Sequence, residues 1–169
     1  LDRSMSAGMI GIVLIAIFML LYYRLPGLLS VLALSAYAIL VLTIFKFLPV
    51  TLTLSGLAGF ILSVGMAVDA NVLIFERLKE ELNMGRNMDR AIDQGFKRAW
   101  TSIRDGNVTT LIACAILYWF SSSFIQGFAL TLAVGILVSM FSAITITRVL
   151  LILSSRIKGL NKPFLFGVK

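Results

Sequence analysis

Asp69 is the side chain in this sequence with the clearest chemical potential, because it is an acid among apolar residues. It lies six residues before Phe75, where an apolar stretch ends and a charged segment begins at Glu76. At a helical rise of about 1.5 Å per residue, Asp69 would lie about 9 Å inside that stretch. An ionised carboxylate near the bilayer centre costs roughly 2.5 to 3.5 kcal/mol, and less near the edge. We therefore expect a carboxyl that stays uncharged until water or a cation reaches it.

Such a carboxyl can take up and release protons, or it can merely hydrogen-bond to a neighbouring helix. A second polar group, Asp105, Asn107, Thr109 and Thr110, opens a later apolar segment. Asp105 is expected to cap the helix there, while the other three bring hydrogen-bonding groups to the bilayer edge. The rival interpretation makes this group a hydrated route between the cytoplasm and Asp69, with Asp105 as a second proton-coupling carboxylate.

Two further polar residues could support proton movement. Asn71 follows Asp69 by two positions, and Arg148 lies near the inner end of the last apolar stretch. Arg148 is expected to extend to the membrane surface, with pairing to Asp69 or Asp105 as the alternative. The chain contains no histidine, so a relay would depend on carboxylates, hydroxyls and water.

Enzyme and metal chemistry find no support in the sequence. Cys114 is the only cysteine and lies in an apolar segment, which excludes an internal disulfide and a cysteine metal cluster. The sequence has no nucleophile paired with a base, no phosphate loop and no metal-ligand cluster. We predict no enzymatic activity, no metal and no cofactor beyond a coupling ion, H⁺ or alternatively Na⁺.

The elements that hold these residues are predicted to be membrane helices. Of 169 residues 59% are hydrophobic, and the mean hydropathy of +0.99 is far above that of a soluble domain. We predict an all-α bundle forming a single membrane domain, with five spans at about 7–23, 28–47, 52–75, 103–120 and 128–153.

Basic residues predict the orientation of these spans, since positive loops stay in the cytoplasm. Arg3 and Lys46 fall on one side, and thirteen residues fall on the other: Arg24, Arg77, Lys79, Arg86, Arg90, Lys97, Arg98, Arg104, Arg148, Arg156, Lys158, Lys162 and Lys169. The second side is therefore cytoplasmic. The net charge of +7 follows from this asymmetry and from attraction to anionic lipid, so nucleic acid is not needed as a partner.

The cytoplasmic connection, about residues 76–102, is predicted to be ordered. Arg77 and Glu81 can pair on an extension of the third helix, and Gly85 suits its end. Asn87 can cap a second, amphipathic helix. This helix is expected to lie along the inner membrane surface, or alternatively on a partner's cytoplasmic face.

Small residues recur along the third span and are predicted to pack against neighbouring helices, because they let backbones approach closely. They are Ser55, Gly56, Gly59, Ser63 and Gly65.

Several of these motifs resemble one protein family. The runs Thr51–Gly59 (TLTLSGLAG) and Gly65–Arg77 (GMAVDANVLIFER), the Asp105–Thr110 cluster and Gly127–Leu132 (GFALTL) are similar to the SecD family. Its members are subunits of the SecDF protein-export complex, within the resistance-nodulation-division superfamily. SecF typically carries an Asn-Asp pair and a following Phe-Asp-Arg, which this chain lacks. Ser55 replaces a usual Pro, and Gly106 replaces a usual Ala.

The resemblance implies an export factor in the bacterial cytoplasmic membrane that uses the proton gradient, with Asp69 at the position implicated in proton transport. It also implies a SecF-like partner, SecYEG and exported preproteins as partners. An earlier helix and a large outer domain would precede the chain. Two other hypotheses remain open: a non-conducting scaffold of the translocon, and a proton-driven exporter of small molecules or lipids.

Overall fold

The computed structural model describes residues 2–47, 53–156 and 166, and these residues are almost entirely helical. The predicted all-α class is confirmed for this part of the chain. The helices are α1 (Asp2–Tyr23), α2 (Leu25–Phe47), α3 (Leu54–Asn83), α4 (Met88–Phe120), α5 (Ser123–Ser142), a π segment (Ala143–Thr147) and α6 (Arg148–Arg156).

Four helical stretches are long and apolar enough to cross a membrane by length and composition: Ser6–Tyr23, Leu25–Phe47, Leu54–Asn83 and Ser123–Arg156. They contain the first, second, third and fifth predicted spans, apart from Thr53, the N-cap of α3, and the predicted start at Leu52. That residue, with Thr51, Lys158, Lys162, Lys169 and the Arg3 side chain, lies outside the described residues. The fourth predicted span lies in α4, whose first half is charged.

α4 corrects two predictions about the segment before residue 103. One continuous helix replaces the separate surface helix and the span that followed it. Asn87 caps this helix as predicted, since its Oδ1 accepts a hydrogen bond from the Arg90 N–H at 3.2 Å. Asp105 caps nothing, because the helix runs straight through it. The first half does not lie on the membrane surface, since its apolar side is buried within the chain: Met88, Ala91, Ile92, Phe96 and Ala99.

The partner of this apolar side is the extension of α3, so the two helices form an antiparallel hairpin. Gly85 lies in the turn with φ of 79°, a left-handed conformation that suits glycine. Gly95 allows the backbones to approach, since a Cβ there would lie 3.0 Å from the Leu78 nitrogen. The hairpin therefore depends on glycine both at its turn and at its contact.

Ion pairs hold the end of the hairpin together, but not in the predicted pairing. Arg77 binds Glu80 at 2.8 Å rather than Glu81. Glu81 faces α4, where it is 1% exposed and binds Arg98 at 2.7 Å and Arg86 at 2.6 Å. Hydrogen bonds from Arg77 hold the pKa of the Glu80 carboxyl below its ordinary value.

The centre of the fold is α3, which packs most extensively against α5. A Cβ on Gly59 would lie 2.6 Å from the Phe128 carbonyl oxygen and 3.2 Å from the Leu132 nitrogen. Ser63 is fully buried and donates a hydrogen bond to the Phe60 carbonyl at 2.6 Å. Because that bond uses its only hydrogen, Ser63 accepts the 2.7 Å bond from the Tyr37 hydroxyl of α2.

The remaining small residues of α3 differ in their surroundings. Ser55 and Gly56 are buried, whereas nothing described lies within 4 Å of a Cβ placed on Gly65. Gly65 therefore makes no close helix contact within the described chain.

Candidate functional site

Asp69 lies in the middle of α3, on a side that no described helix covers, and its side chain is exposed. It borders a cavity of about 260 Å³ where α3 and α4 separate. The cavity is lined from α3 by Met66, Asp69, Ala70 and Leu73, and from α4 by Ser102, Ile103, Gly106 and Asn107. The carboxyl thus lies at a mostly apolar cavity that also holds the polar side chains of Ser102 and Asn107, and it is open to the outside of this chain rather than enclosed by it.

The cavity joins Asp69 to only part of the polar group predicted on α4. Asn107 lines the cavity and is 6% exposed. Gly106 also lines the cavity, and nothing described lies within 4 Å of a Cβ placed on it. Asp105 turns outward, with its side chain 67% exposed, and binds its neighbour Arg104 at 2.9 Å. Residues two positions apart on a helix differ by about 200° in direction, which separates Asp105 from Asn107.

Thr109 and Thr110 also stay outside the cavity. Their hydroxyls donate to the carbonyls of Asp105 and Gly106 on their own helix, at 2.9 and 3.1 Å. The structure therefore does not bring the predicted polar group together as one route. Ser102 was not among the predicted site residues; it lies one helical turn before Gly106, so the continuity of α4 places it beside the cavity.

Asn71 points away from Asp69, because residues two positions apart on a helix differ by about 200° in direction. Its Oδ1 accepts a hydrogen bond at 2.8 Å from Thr147, and the two side chains are 4% and 0% exposed. Thr147 ends the π segment, where one extra residue per turn changes the direction of the side chains that follow. This contact between α3 and the last helix was also missed, since a single threonine in an apolar run carries no signal.

Arg148 pairs with neither of the two predicted aspartates. Its Nη2 donates to Asp93 Oδ1 at 3.0 Å, and its guanidinium lies 5.9 Å from the centre of the Phe96 ring. Asp93 is within reach because the first half of α4 packs against the extension of α3 and against α6.

The polar groups of this cavity are few and lie on two helices. Among the described residues, no group of three or more acidic, cysteine or histidine side chains could hold a metal ion. The Asp69 carboxyl shares its cavity with the side chains of Asn107 and Ser102, and the cavity is large enough for several water molecules.

Comparisons with known proteins agree on one family. Residues 2–156 match the family described as "Protein export membrane protein SecD/SecF, C-terminal". The protein translocase subunit SecD of Thermobaculum terrenum is 65% identical over 154 residues, which are 89% of this chain and 30% of that protein. The corresponding Synechocystis protein is 58% identical over 150 residues, 89% of this chain and 32% of its own length.

A solved structure is also similar. The crystal structure of SecDF from a Thermus species, described as a translocon-associated membrane protein, matches with a TM-score of 0.88 and 38% identity. The match covers 91% of this chain and 22% of that one. The chain therefore spans less than a third of the length of these relatives.

Proposed function

This chain belongs to the SecD/SecF C-terminal family of protein export membrane proteins, and from that premise we propose that it is the membrane part of a SecD-type translocase subunit. In this proposal the whole protein supports Sec-dependent translocation across the bacterial cytoplasmic membrane. It works with SecYEG and a SecF-like partner and performs no enzymatic chemistry. The part of the relatives' length that this chain does not span would supply an earlier helix and the outer domain in this proposal.

The observation that carries the proposal is the position of Asp69. The side chain is exposed on the surface of this chain, within the apolar part of α3, beside the cavity that Asn107 lines. An ionised carboxylate facing lipid would be costly, so this side of α3 requires either water or another protein. A SecF-like half-bundle covering it would turn the open cavity into an enclosed site.

The energies are compatible with proton coupling. Charging a carboxyl in the apolar region costs roughly 2.5 to 3.5 kcal/mol at the bilayer centre. A proton that crosses about 150 mV releases about 3.5 kcal/mol, enough to shift a two-state equilibrium a few hundredfold. Protonation of Asp69 could thus select between two arrangements of this chain and its partner.

The proposed topology has five spans. Four are the stretches that qualify by length and composition, and the fifth is the apolar second half of α4. The α3–α4 hairpin then lies in the cytoplasm, in agreement with its many basic residues. Asp69 would lie nearer the cytoplasmic than the outer end of α3.

The test is export of a preprotein into inverted vesicles that contain full-length protein, its SecF partner and SecYEG, with and without a proton gradient. Asp69→Asn should assemble but lose stimulation by the gradient. An amide cannot ionise, so the proton gradient has no group at this position whose charge it can change. Asp69→Glu should retain partial activity. Asp105→Asn is the matched control and should export normally, since that side chain points away from the cavity.

Two outcomes would change the proposal. Gradient-stimulated export by Asp69→Asn equal to that of the parent would remove Asp69 as the coupling group and favour the scaffold hypothesis. Stimulation by a sodium gradient alone would replace H⁺ with Na⁺ as the coupling ion.

A further inference from the structure

A second and larger cavity, about 450 Å³, lies between α4 and the last helix, and it shares only Ile103 with the cavity beside Asp69. Its volume is in the range of pockets that hold small molecules. Six of its nine lining residues are apolar: Ile74, Phe96, Trp100, Ile103, Ala143 and Ile144. The other three are charged, Asp93, Lys97 and Arg148. An apolar cavity with charged residues at its margin suits an amphipathic ligand.

The level of this cavity along α3 is informative. Ile74 is the second-last residue of the apolar stretch that ends before Glu76. The cavity therefore lies where the hydrocarbon region gives way to the headgroups, and the proposed topology places it in the cytoplasmic leaflet. An occupant there would have its apolar part beside lipid chains and its polar part beside phosphates.

The charges at the margin favour an anion. Lys97 is exposed and makes no ion pair with any described residue. Arg148 is held in place by Asp93 and Phe96, and Asp93 engages only its Nη2. The Nε and Nη1 donors of Arg148 make no hydrogen bond within the described part of the chain. Among the residues that line this cavity, two cations and one carboxylate leave a net positive charge, while the Asp89 carboxylate lies in an adjoining cavity that shares Asp93 and Arg148.

We propose that this cavity binds an anionic phospholipid, with its phosphate on Lys97 and Arg148 and one acyl chain against Trp100 and Ile144. Basic pockets between membrane helices on the cytoplasmic side recognise anionic headgroups in this way. The site is separate from Asp69, and it does not require the proton-coupling proposal to be correct.

Trp100 lines the cavity, so it reports occupancy directly. The full-length protein, with every other tryptophan replaced by phenylalanine, is reconstituted with phosphatidylglycerol or phosphatidylcholine carrying brominated chains, at equal mole fractions. Brominated phosphatidylglycerol should quench Trp100 more strongly. Lys97→Gln should reduce this preference about fivefold, the effect of one basic residue near an anionic surface.

Matched variants separate headgroup recognition from general charge and from chain binding. Arg90→Gln removes the same charge from α4 two turns before Lys97, at a residue that does not line this cavity, and should leave the preference unchanged. Ile144→Phe narrows the apolar part and should weaken quenching by both lipids. Native mass spectrometry of the protein with all tryptophans present, counting retained phosphatidylglycerol, gives a second measurement if the single-tryptophan protein folds poorly.

Three results would overturn the proposal. Equal quenching by the two lipids would show that no headgroup is recognised. An unchanged preference in Lys97→Gln would show that the phosphate is bound elsewhere. Loss of quenching when the partner subunit is bound would show that protein, rather than lipid, covers the cavity.

Discussion

Two glycines on α3 provide a matched test of how closely this helix packs on α5. A Cβ on Gly59 would meet Thr131 Oγ1 and lie 2.6 Å from the Phe128 carbonyl oxygen, whereas nothing described lies within 4 Å of a Cβ on Gly65. Both substitutions to alanine gain helix propensity, up to about 1 kcal/mol each. Only Gly59→Ala must move a neighbouring backbone as well.

Overpacking of this kind costs about 1 to 3 kcal/mol, and backbone contacts place Gly59 at the upper end. Gly59→Ala should therefore lose about 1 to 2 kcal/mol of unfolding free energy, while Gly65→Ala should gain up to about 1. Gly59→Leu should lose more and weaken folding itself. The measurement is unfolding of the full-length protein in mixed micelles with increasing SDS, followed by tryptophan fluorescence.

The two alanine variants would be expected to differ by about 2 to 3 kcal/mol. Equal stability of Gly59→Ala and Gly65→Ala would refute the close approach of α3 and α5. A loss at Gly65 that occurs only with the SecF partner bound would instead place that residue at the subunit interface.

Two further predictions concern topology and the buried hydrogen bond. In a Cys114-free background, single cysteines at Asn87 and Ser122 should be labelled from the cytoplasmic and outer sides respectively, and labelling of both from one side would contradict five spans. Thr147→Val should lose about 1 kcal/mol, because Asn71 Oδ1 is left without its buried donor, while Thr147→Ser should retain most of the stability in the same SDS titration.

The sequence was a good guide to the helices where one local signal decided the structure. Asn87 and Gly85 mark the start of α4 and the turn before it, and both were predicted because capping depends on adjacent residues. The break predicted before residue 103 was wrong. Charged residues suggested that the membrane–water boundary lay there and that one helix ended before the next began. The buried side of α4 continues past this point, so tertiary packing keeps the helix intact.

The candidate site was less predictable, because closeness in sequence is a poor guide to direction on a helix. Asp69 and Asn71 face opposite sides of α3, and Asp105 and Asn107 do the same on α4. The cavity next to Asp69 therefore contains Asn107 but not Asp105. The partner of Arg148 depended on how the whole hairpin packs, which no local pattern encodes.

The length of α3 has a mechanical consequence. Its 30 residues extend about 45 Å, against a hydrocarbon thickness of about 30 Å, so one end of the helix stands clear of the bilayer. Close to that end, Glu81 forms ion pairs with Arg86 in the turn and with Arg98 of α4, which tie the end of α3 to α4. Asn83 lies about 21 Å beyond Asp69, so a tilt of about 10° at the carboxyl would displace it by about 4 Å. Under the proposed topology, α3 would thus act as a lever that converts a small tilt near Asp69 into a displacement of several ångströms at its cytoplasmic end.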